Sequence, residues 1–308
     1  MEIALQFVLL ALGFVMLGKG ADWFVEGAAG IAMRFGIPQL VIGLTIVAMG
    51  TSAPEAAVSI AAAVKGNADI TVGNIVGSNI LNILVILGLA ASIVPIAVAR
   101  STVRIEIPFM IGVTALLFYQ GRDSSISLAD GGVLMVAFAA YMMYLYTMAM
   151  KSNVDSDLEE PGLPLGRCLL GAVGGLALII AGSNVTVGAA TSIATYAGLS
   201  ERFIGLTIVA LGTSLPELFT SVAAARRGNA DIAIGNIVGS NIFNILFVVG
   251  LSSLIIDIPF ASAFNFDTYV ALGAAVLLWL CVLRTQRLQR WAGALMLMCY
   301  AAYLGYIL

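Results

Sequence analysis

The strongest constraint on this chain is a repetition. Residues 42–91 align without a gap with residues 204–253, at a constant offset of 162, and roughly two thirds of the positions are identical. "GLTIVAMGTSAPEAAVS" from Gly43 returns as "GLTIVALGTSLPELFTS" from Gly205. A duplication retained only for folding predicts likeness among apolar residues. Here the matched positions include polar ones: Thr51/Thr213, Ser52/Ser214, Glu55/Glu217, Asn74/Asn236, Ser78/Ser240 and Asn82/Asn244. Any fold for the chain therefore has to use the same polar set twice.

The medium in which it does so follows from composition. The 308 residues are 61% hydrophobic and only 10% charged, with mean hydropathy +1.05, against about half apolar and a quarter charged in a soluble domain. The expected fold is an all-α membrane protein of about ten transmembrane helices, arranged as two inverted five-helix repeats. The apolar runs place the spans near 3–31, 38–64, 69–97, 105–120, 127–150, 165–196, 200–225, 231–257, 267–284 and 290–307. The apolar start lacks a basic leader and a good cleavage context, and reads as the first span. The polar stretch 151–164, "KSNVDSDLEEPGLP", divides the chain into a first repeat, 1–150, and a second, 165–308. Five spans are an odd number, so the second repeat enters the membrane from the opposite side.

Basic residues choose the orientation. Loops after the odd-numbered spans carry or border ten of them, among them Arg34, Arg100, Arg104, Lys151, Arg167, Arg226 and Arg227. The other side has Lys65, Arg122 and Arg202. The bias puts both termini outside the cytoplasm and the acidic linker inside.

Glu55 and Glu217 fall near the middle of the second and seventh spans, where an ionisable side chain costs at least ~2.5–3.5 kcal/mol. Facing each other across a pseudo-twofold axis, they form a cation site. Thr51 and Glu55 share a helical face, with Ser52 three residues before the glutamate. Pro54 has no N–H, so the Gly50 carbonyl is expected to lose its helical partner, which is tolerable at membrane depth only where protein or a cavity satisfies it. Asn74, Ser78 and Asn82 recur every fourth residue as a polar stripe, repeated by Asn236, Ser240 and Asn244. The pairs Gly73/Gly77 and Gly235/Gly239 permit close helix approach. Carboxylate, hydroxyl, amide and carbonyl oxygens together suit hard cations, Ca²⁺ and Na⁺. Isolated Thr and Ser in a helix commonly bond back to their own backbone; doubled beside a glutamate they read as ligands.

Other chemistries find no support. There is no histidine, no GxxxxGK[ST] and no CxxC; Cys168, Cys281 and Cys299 are scattered fillers. No enzymatic activity, cofactor, nucleic acid or obligatory protein partner is expected; the partners are the transported ions and the lipid bilayer.

At "GTSAPE", "GTSLPE", "GNIVGSNILN" and "GNIVGSNIFN" the sequence resembles the cation/Ca²⁺ exchanger superfamily, specifically its short prokaryotic sodium/calcium exchangers with two α-repeats. The ten-span plan extends the resemblance over the whole chain. It implies a Na⁺/Ca²⁺ antiporter of the cell inner membrane, with two inverted five-helix halves whose long first and sixth helices slide across a fixed core. It also implies site roles. Glu55 and Glu217, with the Thr51 and Thr213 carbonyls, hold Ca²⁺. Ala48, Thr51, Ser52, Glu55 and Ser240 form an inner Na⁺ site. Ala210, Thr213, Ser214, Glu217 and Ser78 form an outer one, and Asn82 and Asn244 join the glutamates in a central site. Several relatives, including potassium-dependent ones, carry aspartate at the position of Asn244; the asparagine here implies independence of K⁺. Exchange of three Na⁺ for one Ca²⁺ is then electrogenic. The nearest alternative is a Ca²⁺/H⁺ antiporter of the same fold; a passive cation channel and a purely structural membrane protein follow at a distance.

Overall fold

The computed structural model describes residues 2–66, 69–151, 163–198 and 210–307. These are almost entirely helical. α1 is Glu2–Phe35. α2 covers Gln39–Thr51 and α3 Ala53–Val64, two halves of one broken element bent by 51°. α4 runs as Asp69–Leu81, a π-helical turn at Asn82–Leu87 and then Gly88–Ile93. α5 is Ile107–Gln120, entered through a π-helical turn at Thr102–Glu106. α6 is Leu128–Lys151 and α7 Leu165–Tyr196. α8 is the short Ala210–Thr213, and α9 is Leu215–Arg226. α10 runs as Ala230–Phe243, a π-helical turn at Asn244–Val249 and then Gly250–Ile255. α11 is Ala263–Leu283 and α12 Arg290–Ile307.

Among the described residues seven helices are long and apolar enough to cross a membrane, or eight if the bent α2–α3 pair is one span. The expectation was ten. The difference lies at two places. The span expected over 200–225 begins in residues outside those described, leaving α8 and α9, and α12 is an 18-residue helix that opens on Arg290. Most of the expected linker also lies outside the described residues.

α4 and α10 are the most enclosed helices, whereas α1 and α6 turn most of their length outward. The outward residues are apolar: Leu5, Val8, Val136, Leu170 and Val173 are all exposed. An exposed apolar belt around an enclosed core is what a bilayer solvent selects. α1 and α7 pack backbone to backbone. A Cβ at Gly175 would stand 2.5 Å from the Phe24 nitrogen and 2.7 Å from the Gly20 carbonyl oxygen, and one at Gly20 would stand 2.9 Å from the Gly175 oxygen. This small-residue seam replaces the hydrophobic drive that lipid cannot supply. Arg227, just past α9, ties to α1 through Asp22 at 3.2 Å and Glu26 at 3.1 Å. Exposed pairs of this kind contribute ~0–1 kcal/mol each.

The backbone repeats with the sequence. Helices end on left-handed glycines at Gly36 and Gly66, and again 162 residues on at Gly198 and Gly228, where no Cβ has to be accommodated. The π-helical turns of α4 and α10 are likewise 162 apart. Among the described residues four two-residue strands pair: β1 (Ile96–Ala97) with β4 (Arg287–Leu288), and β2 (Ser125–Ile126) with β3 (Ile258–Pro259). The offset carries β1 onto β3 and β2 onto β4, so each small sheet is the repeat of the other.

Candidate cation site

The site is built by two broken helices and two π-helical turns. α2 stops at Ser52 (φ −81°, ψ 5°) and the chain restarts as α3, with Pro54 in its first turn. Ser214 (φ −91°, ψ 5°) breaks the second copy in the same way before α9. Proline is well suited to a first helical turn, where its missing N–H has no partner to lose. The break thus places Glu55 and Glu217 in the first turns of α3 and α9. There the unpaired N–H groups of a helix end carry partial positive charge, worth up to ~2 kcal/mol to a carboxylate in partly buried geometry. One expectation is corrected here. The Gly50 carbonyl is not left bare by Pro54, because a cap N–H closes onto it in a tighter turn.

Both glutamates are fully buried, as are Thr51, Ser52, Asn82, Asn236, Ser240 and Asn244. The hydroxyls cross between halves. Ser52 Oγ donates to Glu217 Oε1 at 2.8 Å, and Ser214 Oγ to Glu55 Oε1 at 3.4 Å. Ser78 Oγ and Ser214 Oγ are 3.2 Å apart. Thr51 Oγ1 donates to Asn236 Oδ1 at 3.0 Å and to the Ala48 carbonyl at 3.3 Å; Ser240 Oγ also reaches the Ala48 carbonyl, at 3.3 Å. Asn236 Nδ2 then donates to Ser221 Oγ at 2.9 Å and Asn74 Nδ2 to Ser59 Oγ at 2.9 Å, an identical brace in each half.

The structure therefore gathers Ala48, Thr51 and Ser240 of the expected inner Na⁺ set, and Ser78 and Ser214 of the outer one. It pairs each serine beside the break with the glutamate of the other half rather than its own. Thr213 lies at the end of α8. Of Ala210 only the backbone, the first residue of α8, is described.

Asn82 and Asn244 open the π-helical turns of α4 and α10. Such turns shift the register of a helix by one residue and recur at functional sites. The Asn82 turn packs against α9, which carries Glu217, and the Asn244 turn against α3, which carries Glu55.

Four oxygens of this cluster are buried and receive no hydrogen bond: Glu55 Oε2, Glu217 Oε2, Asn82 Oδ1 and Asn244 Oδ1. They form two pairs at the same offset of 162, and all four accept. A buried acceptor left without a partner costs ~1–3 kcal/mol, more when charged, and a cation removes that cost. Among the described residues no group of three or more His, Cys, Asp or Glu side chains is placed to hold a metal ion. Two carboxylates thus carry the site's charge, and amide, hydroxyl and carbonyl oxygens complete it, a donor set for hard cations.

Sequence reasoning did not single out three buried residues. Asn79 and Asn241 hydrogen-bond directly to Asn244 and Asn82. Their signal was present, since both stand inside the repeated "GSNI". Glu106 is a third fully buried carboxylate, accepting a hydrogen bond from Tyr144 Oη and bonding to no residue of the cluster. Its position 162 residues on is Thr268, so the repeat gives no hint of it.

A bundle of apolar helices with a doubled carboxylate and unpaired acceptors at its centre defines a membrane protein that handles cations. Comparison with known proteins narrows the class. The model of the sodium/calcium exchanger protein family matches residues 5–147 and 168–308, so it matches twice. The putative antiporter CaxA of Alkalimonas amylolytica is 41% identical over 314 residues, covering 98% of each chain. The inner membrane protein YrbG of Escherichia coli (strain K12) is 40% identical over 260 residues, covering 80% of this chain and 79% of its own. The solved structure of the sodium-calcium exchanger NCX_Mj soaked with zero Na⁺ and Ca²⁺ superposes with a TM-score of 0.87 at 33% identity, covering 99% of this chain and 100% of that one. The chain belongs to the sodium/calcium exchanger protein family. It is an integral multi-pass membrane protein of the cation/Ca²⁺ antiporter class.

Proposed function

We propose that this chain is a Na⁺/Ca²⁺ antiporter of the cell inner membrane that works by alternating access. Residues 1–150 and 165–308 are its two inverted five-helix halves, joined by a cytoplasmic linker at 151–164, with both termini outside the cytoplasm. The observation that carries the reading is the set of four unpartnered oxygens on Glu55, Glu217, Asn82 and Asn244. Two carboxylates neutralise one Ca²⁺, with the Thr51 and Thr213 carbonyls completing its shell. Na⁺ occupies the flanks: Ala48, Thr51, Ser52, Glu55 and Ser240 within, and Ala210, Thr213, Ser214, Glu217 and Ser78 without. Asn82 and Asn244 serve the centre. An amide at Asn244 holds the pocket at two formal charges, which makes added K⁺ unnecessary.

Protonation of the two glutamates would also discharge the pocket and release Ca²⁺, which is the chemistry of a Ca²⁺/H⁺ antiporter. One assay separates the two. Proteoliposomes loaded with Na⁺ are diluted into Na⁺-free medium containing ⁴⁵Ca²⁺, beside K⁺-loaded and pH-gradient controls. Uptake is expected only with the outward Na⁺ gradient. Uptake driven by the pH gradient would transfer the protein to the proton-coupled reading, and flux without any counter-ion would make it a channel.

A further inference from the structure

We propose that Asn79 and Asn241 are positioning residues that hold the Asn82 and Asn244 side chains with their oxygens turned toward the cation; the inference rests on the ligand roles given above to Asn82 and Asn244. A carboxamide has an acceptor end and a donor end of nearly equal size. A buried asparagine serves a cation only if something fixes which end faces it. In this molecule the fixing is done by two crossed chains, each of two side-chain amides ending on a main-chain carbonyl. Asn79 Nδ2 donates to the main-chain carbonyl of Asn241 at 3.1 Å, and Asn241 Nδ2 to that of Asn79 at 3.2 Å. A main-chain carbonyl only accepts, so each of these amides must present its nitrogen there. Its Oδ1 then faces the other way. Asn82 Nδ2 donates to Asn241 Oδ1 at 2.9 Å, and Asn244 Nδ2 to Asn79 Oδ1 at 3.1 Å.

The polarity of each chain thus begins at a main-chain carbonyl and ends at an oxygen, Asn82 Oδ1 or Asn244 Oδ1, that has no partner. Turning either ligand amide over would set oxygen against oxygen within its chain and an NH₂ against the cation. All four asparagines are almost wholly buried, so water does not compete for the amide ends. The chains also cross between the two halves: Asn79 of α4 governs Asn244 of α10, and Asn241 of α10 governs Asn82 of α4. Each half sets the ligand of the other.

The test is a double-mutant cycle on the full chain purified in detergent, read as the Ca²⁺ dissociation constant by isothermal titration. Asn79→Leu, close to isosteric, removes the acceptor that orients Asn244 and is expected to weaken Ca²⁺ binding about tenfold. In an Asn244→Ala background the same substitution is expected to add almost nothing, because the residue it acts through is gone. In an Asn82→Ala background it is expected to keep its tenfold effect. A merely structural role for Asn79 predicts the same added loss in both backgrounds, and that result would overturn the proposal. An Asn244→Ala chain that binds Ca²⁺ like the wild type would instead remove the ligand role on which the proposal stands. Asn79→Ser and the mirror cycle, Asn241→Leu with Asn82→Ala and Asn244→Ala, supply the same comparisons if Asn79→Leu does not fold.

Discussion

Glu55 and Glu217 each stand in the first turn of a half-helix, and each has one oxygen held by a serine from the opposite half and one held by nothing. That division of labour predicts what glutamine does at either position. In Glu55→Gln the new side chain would accept from Ser214 as before but present an NH₂ where Oε2 stands, a donor where the proposed cation site needs an acceptor. Loss of a buried charged partner costs ~2–5 kcal/mol of binding, so Glu55→Gln and Glu217→Gln are each expected to lower Ca²⁺ uptake at least ~30-fold. The fold should not suffer, since an isolated buried charge is costly and glutamine removes it. Thermal unfolding in detergent without Ca²⁺ should occur at or above the wild-type temperature. Wild-type flux in either variant would remove that glutamate from the site; a collapsed melting temperature would mean that its charge holds the bundle together. The carboxylates were legible because a charge in an apolar run has no structural excuse, and because it was written twice. Their partners were not. Periodicity places Ser52 on a face but cannot say that the face meets a residue 165 positions away, so the crossing of Ser52 to Glu217 emerged only from the packed helices.

At the scale of elements, α1 and α7 are joined by a glycine seam whose spacing in the two helices follows the offset of the repeat: Gly13 with Gly175, and Gly20 with Gly182. Gly175→Ala would drive a Cβ to 2.5 Å from a backbone nitrogen of α1, a contact that only separation of the helices relieves. Overpacking of this kind costs ~1–3 kcal/mol. Gly174, its neighbour on the same helix, has nothing within 4 Å of its Cβ position, so Gly174→Ala should leave stability unchanged or raise it slightly through helix propensity. The check is a pair of melting curves in the same detergent, with a clear drop for Gly175→Ala alone. Equal behaviour of the two variants would show that the seam tolerates separation. The length of α1 and α7 and the break at Pro54 could be anticipated from apolar run length and from proline chemistry. The π-helical turns at Asn82 and Asn244 could not. A π turn inserts a residue into a helical register without any punctuating glycine or proline, so "GSNILN" reads as a plain four-residue stripe until its backbone is seen. The amide chains that join Asn82 to Asn241 and Asn244 to Asn79 each start on one of those turns and were illegible for the same reason.

The whole molecule moves charge if its halves alternate around one doubly negative pocket. With one Ca²⁺ bound the pocket is neutral, and with three Na⁺ it carries one positive charge, so a cycle that admits Ca²⁺ and releases three Na⁺ exports one net charge from a vesicle. Moving one elementary charge through 100 mV is worth ~2.3 kcal/mol, which corresponds to about a 50-fold change in the Ca²⁺ ratio that a given Na⁺ gradient sustains. In Na⁺-loaded proteoliposomes clamped by an ionophore, an inside-positive potential is expected to raise Ca²⁺ accumulation and an inside-negative one to depress it. Two protons or two Na⁺ per Ca²⁺ would exchange without net charge, and accumulation would then ignore the clamp. The asparagine at 244 enters the same arithmetic. A third carboxylate there would make the Ca²⁺-loaded pocket negative and the Na⁺-loaded one neutral, leaving room for one more cation. With the amide there is no such charge to fill, and replacing all external and internal K⁺ by choline, with the potential clamped by other means, should leave the voltage response intact. A Ca²⁺ flux that vanishes without K⁺ would show that the pocket holds a charge the two glutamates do not supply.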